Sequence, residues 1–108
     1  MQQFDIVICA LSGDYGKPRP ALIVQNSAFN AAHASIVICP ITSHVEKEIV
    51  FRPTLLPDAQ NGLEKISQIM IDKITTVKKE KLGQKLGVIA LHKQEEVLNA
   101  LRLWLNIS

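Results

Sequence analysis

At 108 residues the chain is long enough to bury a core of its own without disulfides or a structural metal, and 47% apolar against 20% charged residues excludes intrinsic disorder. The longest apolar runs are about seven residues against the ~20 that cross a bilayer, and Met1-Gln2-Gln3 carries no basic leader. A net charge of +2 permits nucleic-acid contact only through a local patch, so the composition predicts one globular domain over residues 1–108, working in the cytoplasm.

Phe4 to Leu11, rich in β-branched side chains, predicts a first strand, closed by the glycine-bounded turn Ser12-Gly13-Asp14-Tyr15-Gly16. The next stretch is Lys17-Pro18-Arg19-Pro20-Ala21-Leu22-Ile23-Val24-Gln25-Asn26. Pro18 and Pro20 fix φ and push their preceding residues toward extended geometry, so Arg19 is held at a stiff entry to a second strand, antiparallel to the first. Ser27 to His33 reads as a short helical turn with Ser27 as its N-cap. A third strand runs from Ser35 to Ile41, and Pro40, which donates no ladder hydrogen bond, argues for an edge or terminal position. Thr42 and Ser43 follow it, so adjacent strands are expected to bring Arg19 and Thr42 to one rim.

Glu48 to Arg52 predicts a short strand, and Leu55 to Gly62, with Pro57, Asp58 and Asn61, a loop. Lys65 to Val77 reads as one central, twisted strand, because neither of its alternating faces is cleanly polar. Lys78 to Leu82 forms a helical turn ended by Gly83, and a short strand follows near Lys85 to Ile89. From His92 to Ile107, Val97, Leu101, Trp104 and Leu105 form a helical stripe that predicts a helix packed on a sheet by one face. Cys9 and Cys39 lie inside strand-like runs, without metal-ligand spacing, and are expected to be buried thiols.

Two constellations carry chemistry. Arg19 offers a permanently charged, planar fork of donors suited to a phosphoryl transition state, and equally suited to a surface ion pair. Thr42 and Ser43 are hydroxyls placed by a rigid strand end, which serve a ligand or cap the local turn. His44 is the obvious proton acceptor beside them, while His33 and His92 read as loop and helix-start residues. Lys17, Lys47, Lys73, Lys78, Lys79 and Lys81 make either an RNA groove or a solvated surface. Tyr15 is the best stacking platform for a base; Phe4, Phe29, Phe51 and Trp104 read as core or interface.

The ordered set Arg-Pro-Ala-Leu-Ile-Val-Gln-Asn (19–26), Pro-Ile-Thr-Ser (40–43), Gly62-Leu63 and Ser67 to Val77 resembles the MazF/PemK (Kid) toxin family, from about Phe4 to the C-terminal helix. The resemblance implies a mainly β (α+β) fold, a small, partly open SH3-like barrel of the MazF/CcdB kind with a C-terminal helix. It implies a homodimeric toxin of a type II toxin–antitoxin pair, neutralised by a cognate antitoxin. The implied activity is sequence-specific cleavage of single-stranded RNA (mRNA) through a 2′,3′-cyclic phosphate, with no metal or other cofactor. Arg19 and Thr42 are then the catalytic candidates, and Lys17, Ser43, Ser67 and Asp72 the RNA-binding ones. The family pattern assigns His44 no role, and the identity of the general base stays open.

The sequence departs from that pattern in three places. The turn at 12–16 is shorter than the family's loop; Met70 stands where Kid-like members carry an arginine two residues before the acid; and Lys73 and Thr75 replace a glutamine and an arginine. The Arg-Asp pair of Kid is therefore expected to be missing. Two other readings remain: a gyrase poison resembling CcdB, suggested by Trp104 near the C-terminus, and a catalytically weak relative that binds antitoxin.

Overall fold

A computed structural model describes residues 1–11 and 17–108, so the turn at 12–16 and its Tyr15 lie outside the described residues. In chain order it contains β1 (Asp5–Cys9), β2 (Arg19–Ile23), α1 (Ser27–Asn30), β3 (Ser35–Thr42), β4 (Thr54–Leu55), β5 (Ser67–Ile69), β6 (Thr75–Lys78), β7 (Leu82–Val88) and α2 (Leu91–Leu105). Single 3-10 turns occupy Ile71–Lys73 and Lys79–Lys81.

The strands pair in the order β4-β5-β3-β2-β1-β7, and β6 also pairs with β3. β6 and β7 are consecutive in the chain, joined by three residues, yet pair with β3 and β1 respectively, two strands apart in the sheet. Only a sheet that curls back on itself satisfies that connection, which gives the partly open barrel with its C-terminal helix. Register shifts on β1 between Ile6 and Val7 and between Val7 and Cys9 supply local bending.

Alternation along the strands divides the core in two. Ile6, Leu22, Val24, Cys39 and Ile41 face one cluster, which Ile69, Ile71 and Ile89 complete and Val97 and Ala100 of α2 cover. Val7, Cys9, Ala21, Ile23, Ile36 and Ile38 face the other, inside the curl, against Val77 and Leu82. Both faces being buried explains why β1 to β3 read as unbroken apolar runs. Cys9 and Cys39 are free, buried thiols.

Several sequence expectations are corrected. Pro40 lies inside β3, a strand paired on both sides, not at an edge. It is tolerated because β3 exchanges its partner there, from β6 opposite residues 35–38 to β5 opposite 41–42, and the Pro40 carbonyl still accepts from Met70 N at 2.8 Å. The stretch expected as one strand from Lys65 to Val77 is split at the same place. Between Ile69, opposite Ile41, and Thr75, opposite Ile38, the chain has three more residues than its partner, and the 3-10 turn takes up the excess.

Glu48 to Arg52 is not a strand but a tight turn closed by an Ile49–Arg52 bridge; pairing begins at Thr54. The cap of α1 is Asn26, whose side chain accepts from Ala28 N at 2.8 Å, while the Ser27 hydroxyl accepts from Gln3 N. Of the two places expected for Phe29, core or interface, its exposure excludes the core. In α2 the buried positions are Val97 and Ala100; Trp104 stacks on Phe51 with centroids 5.1 Å apart and stays half exposed.

Candidate active site

β2 and β3 are in register at Leu22↔Cys39 and Ala21↔Pro40, and Arg19 and Thr42 stand at the neighbouring ends of these two strands, two residues beyond the last of those pairs. Their shared rim follows from the adjacency of the two strands. Both line a cavity of about 630 Å³, together with Ser43, His44, Gly62, Glu64, Lys65, Ser67 and Met70. Its apolar wall comes from Ile8, Leu11, Pro20, Ile41 and Leu86.

The Thr42 hydroxyl accepts from His44 N at 3.0 Å. The capping role and a ligand role therefore coexist, because a hydroxyl that accepts from the backbone still has its O–H to donate outward. Ser67 is buried and donates to Lys65 O at 2.9 Å, so its proton is committed and it offers lone pairs only. Arg19 is exposed, and among the described residues no carboxylate lies within ion-pair distance of it.

Gly62 closes the wall opposite. Its φ of +71° is a left-handed conformation, and a Cβ there would stand 2.2 Å from the Leu86 carbonyl oxygen. The loop before it is preorganised by buried Asn61, which donates to Leu56 O and accepts from Asp58 N and Leu63 N.

The structure separates some residues that the sequence reading grouped. Lys17 is exposed two residues before Arg19 but is not part of the cavity lining, and neither are Lys47, Lys73, Lys78, Lys79 and Lys81. The lysine that does line it is Lys65, beside Glu64; both follow Gly62-Leu63 directly, and that adjacency was the available signal for them. Asp72 lies away from the cavity lining in a bidentate pair with Arg52, at 2.9 and 2.8 Å. The arginine two residues before the acid is missing as expected, since position 70 is Met; the partner of Asp72 is Arg52, from the turn before β4.

The Arg52 guanidinium holds the Asp72 carboxyl below the usual carboxylate range, chiefly by hydrogen bonding, and the pairing raises Arg52 in turn. Burial, with the Asp72 charge adding to it, pushes the Cys39 thiol up to about 12; burial also raises Cys9. Neither thiol is activated as a nucleophile.

Residues 2–105 match the family model described as PemK-like, MazF-like toxin of type II toxin–antitoxin system. The chain belongs to this family. A relative from Mycolicibacterium smegmatis, named probable endoribonuclease MazF, is 36% identical over 109 residues, covering 100% of this chain and 99% of its own. Among solved structures, a mycobacterial endoribonuclease in complex with its cognate antitoxin superposes with a TM-score of 0.85 at 24% identity, covering 100% of this chain and 97% of that one. The Mycobacterium tuberculosis toxin MazF-mt6 gives 0.84 at 23% identity, over 96% of this chain and 98% of its own. At these identities the structures speak for the fold, and the MazF-like fold here is the curled sheet with its C-terminal helix.

Proposed function

We propose that this MazF-like chain is the toxin of a type II toxin–antitoxin pair and cuts single-stranded RNA, with Arg19 and Thr42 as its catalytic residues. The observation that carries the reading is that both line one cavity, at the ends of the adjacent strands β2 and β3. A relative named endoribonuclease, aligned along the whole chain, supports it.

In this reaction the ribose 2′-oxygen attacks the adjacent phosphorus, the bond to the 5′-oxygen breaks, and a 2′,3′-cyclic phosphate and a 5′-hydroxyl result. The protein must hold the phosphate in line and neutralise its growing charge. Arg19 supplies the charge and a proton donor near the leaving oxygen; Thr42 donates its free O–H to a non-bridging oxygen. Ser43 and Ser67 border the same space, Lys65 adds a cation, and Lys17, exposed two residues before Arg19, is assigned to flanking phosphates. Asp72, bound to Arg52, stands outside this lining. Of the lining groups able to accept the 2′-proton, Glu64 is the candidate, since the family pattern gives His44 no role.

The same reading gives one toxin domain over 1–108, acting where mRNA is, in the cytoplasm, and held by a cognate antitoxin, as the mycobacterial structure is. Among the described residues no helix is long and apolar enough to cross a membrane. The reading includes a homodimer, supported by the apolar end of α2 and the residues after it, where Leu103, Trp104, Leu105 and Ile107 are each exposed by 45% or more.

The test is cleavage of a long single-stranded RNA in EDTA, with the new ends analysed. The expected products carry a 2′,3′-cyclic phosphate, and a duplex RNA stays intact. Cutting only with added divalent metal, or trapping of gyrase on DNA without RNA cleavage, overturns the reading.

A further inference from the structure

Gln68 sits on β5 directly opposite Thr42 on one side and Thr54 on the other, and it is fully buried. A buried amide needs partners for both its ends. Gln68 finds them on a single residue: its Oε1 accepts from Glu46 N at 3.3 Å and its Nε2 donates to Glu46 O at 3.2 Å. The side chain acts as a substitute peptide, matching one backbone unit as a neighbouring strand would. Residues 42–46 are thereby fixed as an arch, anchored at one end by β3, at the other by Gln68, and braced inside by the Thr42 hydroxyl on His44 N. Ser43 and His44, at its crown, line the cavity.

We infer that Gln68 is a positioning residue for RNA cleavage: through the arch it fixes the rotamer of Thr42 and hence the direction in which that hydroxyl donates. The inference rests on the reading of the cavity as the cleavage site. Glu46 is exposed, so water replaces Gln68 on its backbone groups at little cost to the fold, whereas no water restores the position of the arch. A misplacement of that kind lowers rate more than binding.

Gln68→Met keeps the buried volume and removes both hydrogen bonds. At saturating RNA its cleavage rate is expected to fall about 10-fold or more, while the Kd for an uncleavable 2′-deoxy substrate changes less than about threefold. Amide exchange at Glu46 and His44 is expected to quicken. Thr42→Val in the Gln68→Met background should cost less than in the wild type, because the two groups act as one unit. If Gln68→Met folds poorly, Glu46→Pro removes the same N–H from the surface side and should give the same split. A folded variant of either kind that cleaves within about twofold of wild type, or that is only thermally weaker, overturns the inference and leaves the RNase reading standing. A wild-type chain that cleaves no RNA overturns both.

Discussion

Thr42 shows how a hydroxyl that caps a turn keeps a proton free for the chemistry proposed for it. Its oxygen caps the turn by accepting from His44 N, and its proton remains to be given. Thr42→Val, nearly isosteric, is expected to lower the single-turnover cleavage rate about 10-fold or more with a smaller change in RNA affinity. His44→Ala keeps the capping amide and should stay within about threefold of wild type; a dead His44→Ala protein would make His44 a catalytic residue of the same cavity. Arg52 and Asp72 set a second expectation. The folded Asp72 carboxyl titrates below its unfolded value, so the pair stabilises the fold fully above the ordinary carboxylate pKa near 4, and the stabilisation is lost as pH falls through the folded pKa. Arg52→Leu should cost about 1–3 kcal/mol at neutral pH and flatten the acid limb of a stability profile, read by urea titration between pH 7 and 2. Arg19, Thr42 and Ser43 were legible because proline and strand ends mark them locally. Arg52 was not, since its partner lies 20 residues away and no local pattern announces a pair of that span.

At the scale of elements, hydrophobic period located β1, β2, β3 and α2, and missed what depends on pairing. Pro40 signals an edge in isolation, yet the exchange of partners along β3 gives it a place in the middle. The 3-10 turn at Ile71–Lys73 exists because two registers meet there, and no reading of Lys65 to Val77 alone contains the other strand. α2 was visible from its period, but its buried face centres on Val97 and Ala100, while Trp104 and Leu105 of the predicted stripe stay about half exposed. The loop from Asp58 to Gly62 is where backbone geometry rules. Gly62→Ala meets both a positive φ and a carbonyl oxygen at 2.2 Å, so it is expected to lower stability by about 1–3 kcal/mol or more, and to displace the wall carrying Glu64 and Lys65. A thermal melt together with a cleavage assay checks both effects; an unchanged melting temperature would mean that the loop yields.

For the whole molecule, the curl that joins β6 to β7 also decides which strand ends meet, and the candidate site is a product of that closure. The proposed homodimer predicts a mass near twice that of the chain by light scattering at micromolar concentration, and Trp104→Asp together with Leu105→Asp should shift it toward monomer. Monomer in the unmodified protein at high concentration would contradict this. The family's fold was legible from ordered motifs; the composition of the cavity, with Lys65 in place of the expected lysine cluster, was not, because it depends on how distant loops converge. One measurement tests the proposed chemistry most directly: single-turnover cleavage of a single-stranded RNA in EDTA by the wild type and by Arg19→Ala, with RNA affinity measured alongside. The predicted result is cleavage by the wild type and a loss on the order of 10²-fold or more in Arg19→Ala, with affinity falling much less. An Arg19→Ala protein that cleaves as the wild type does would contradict it.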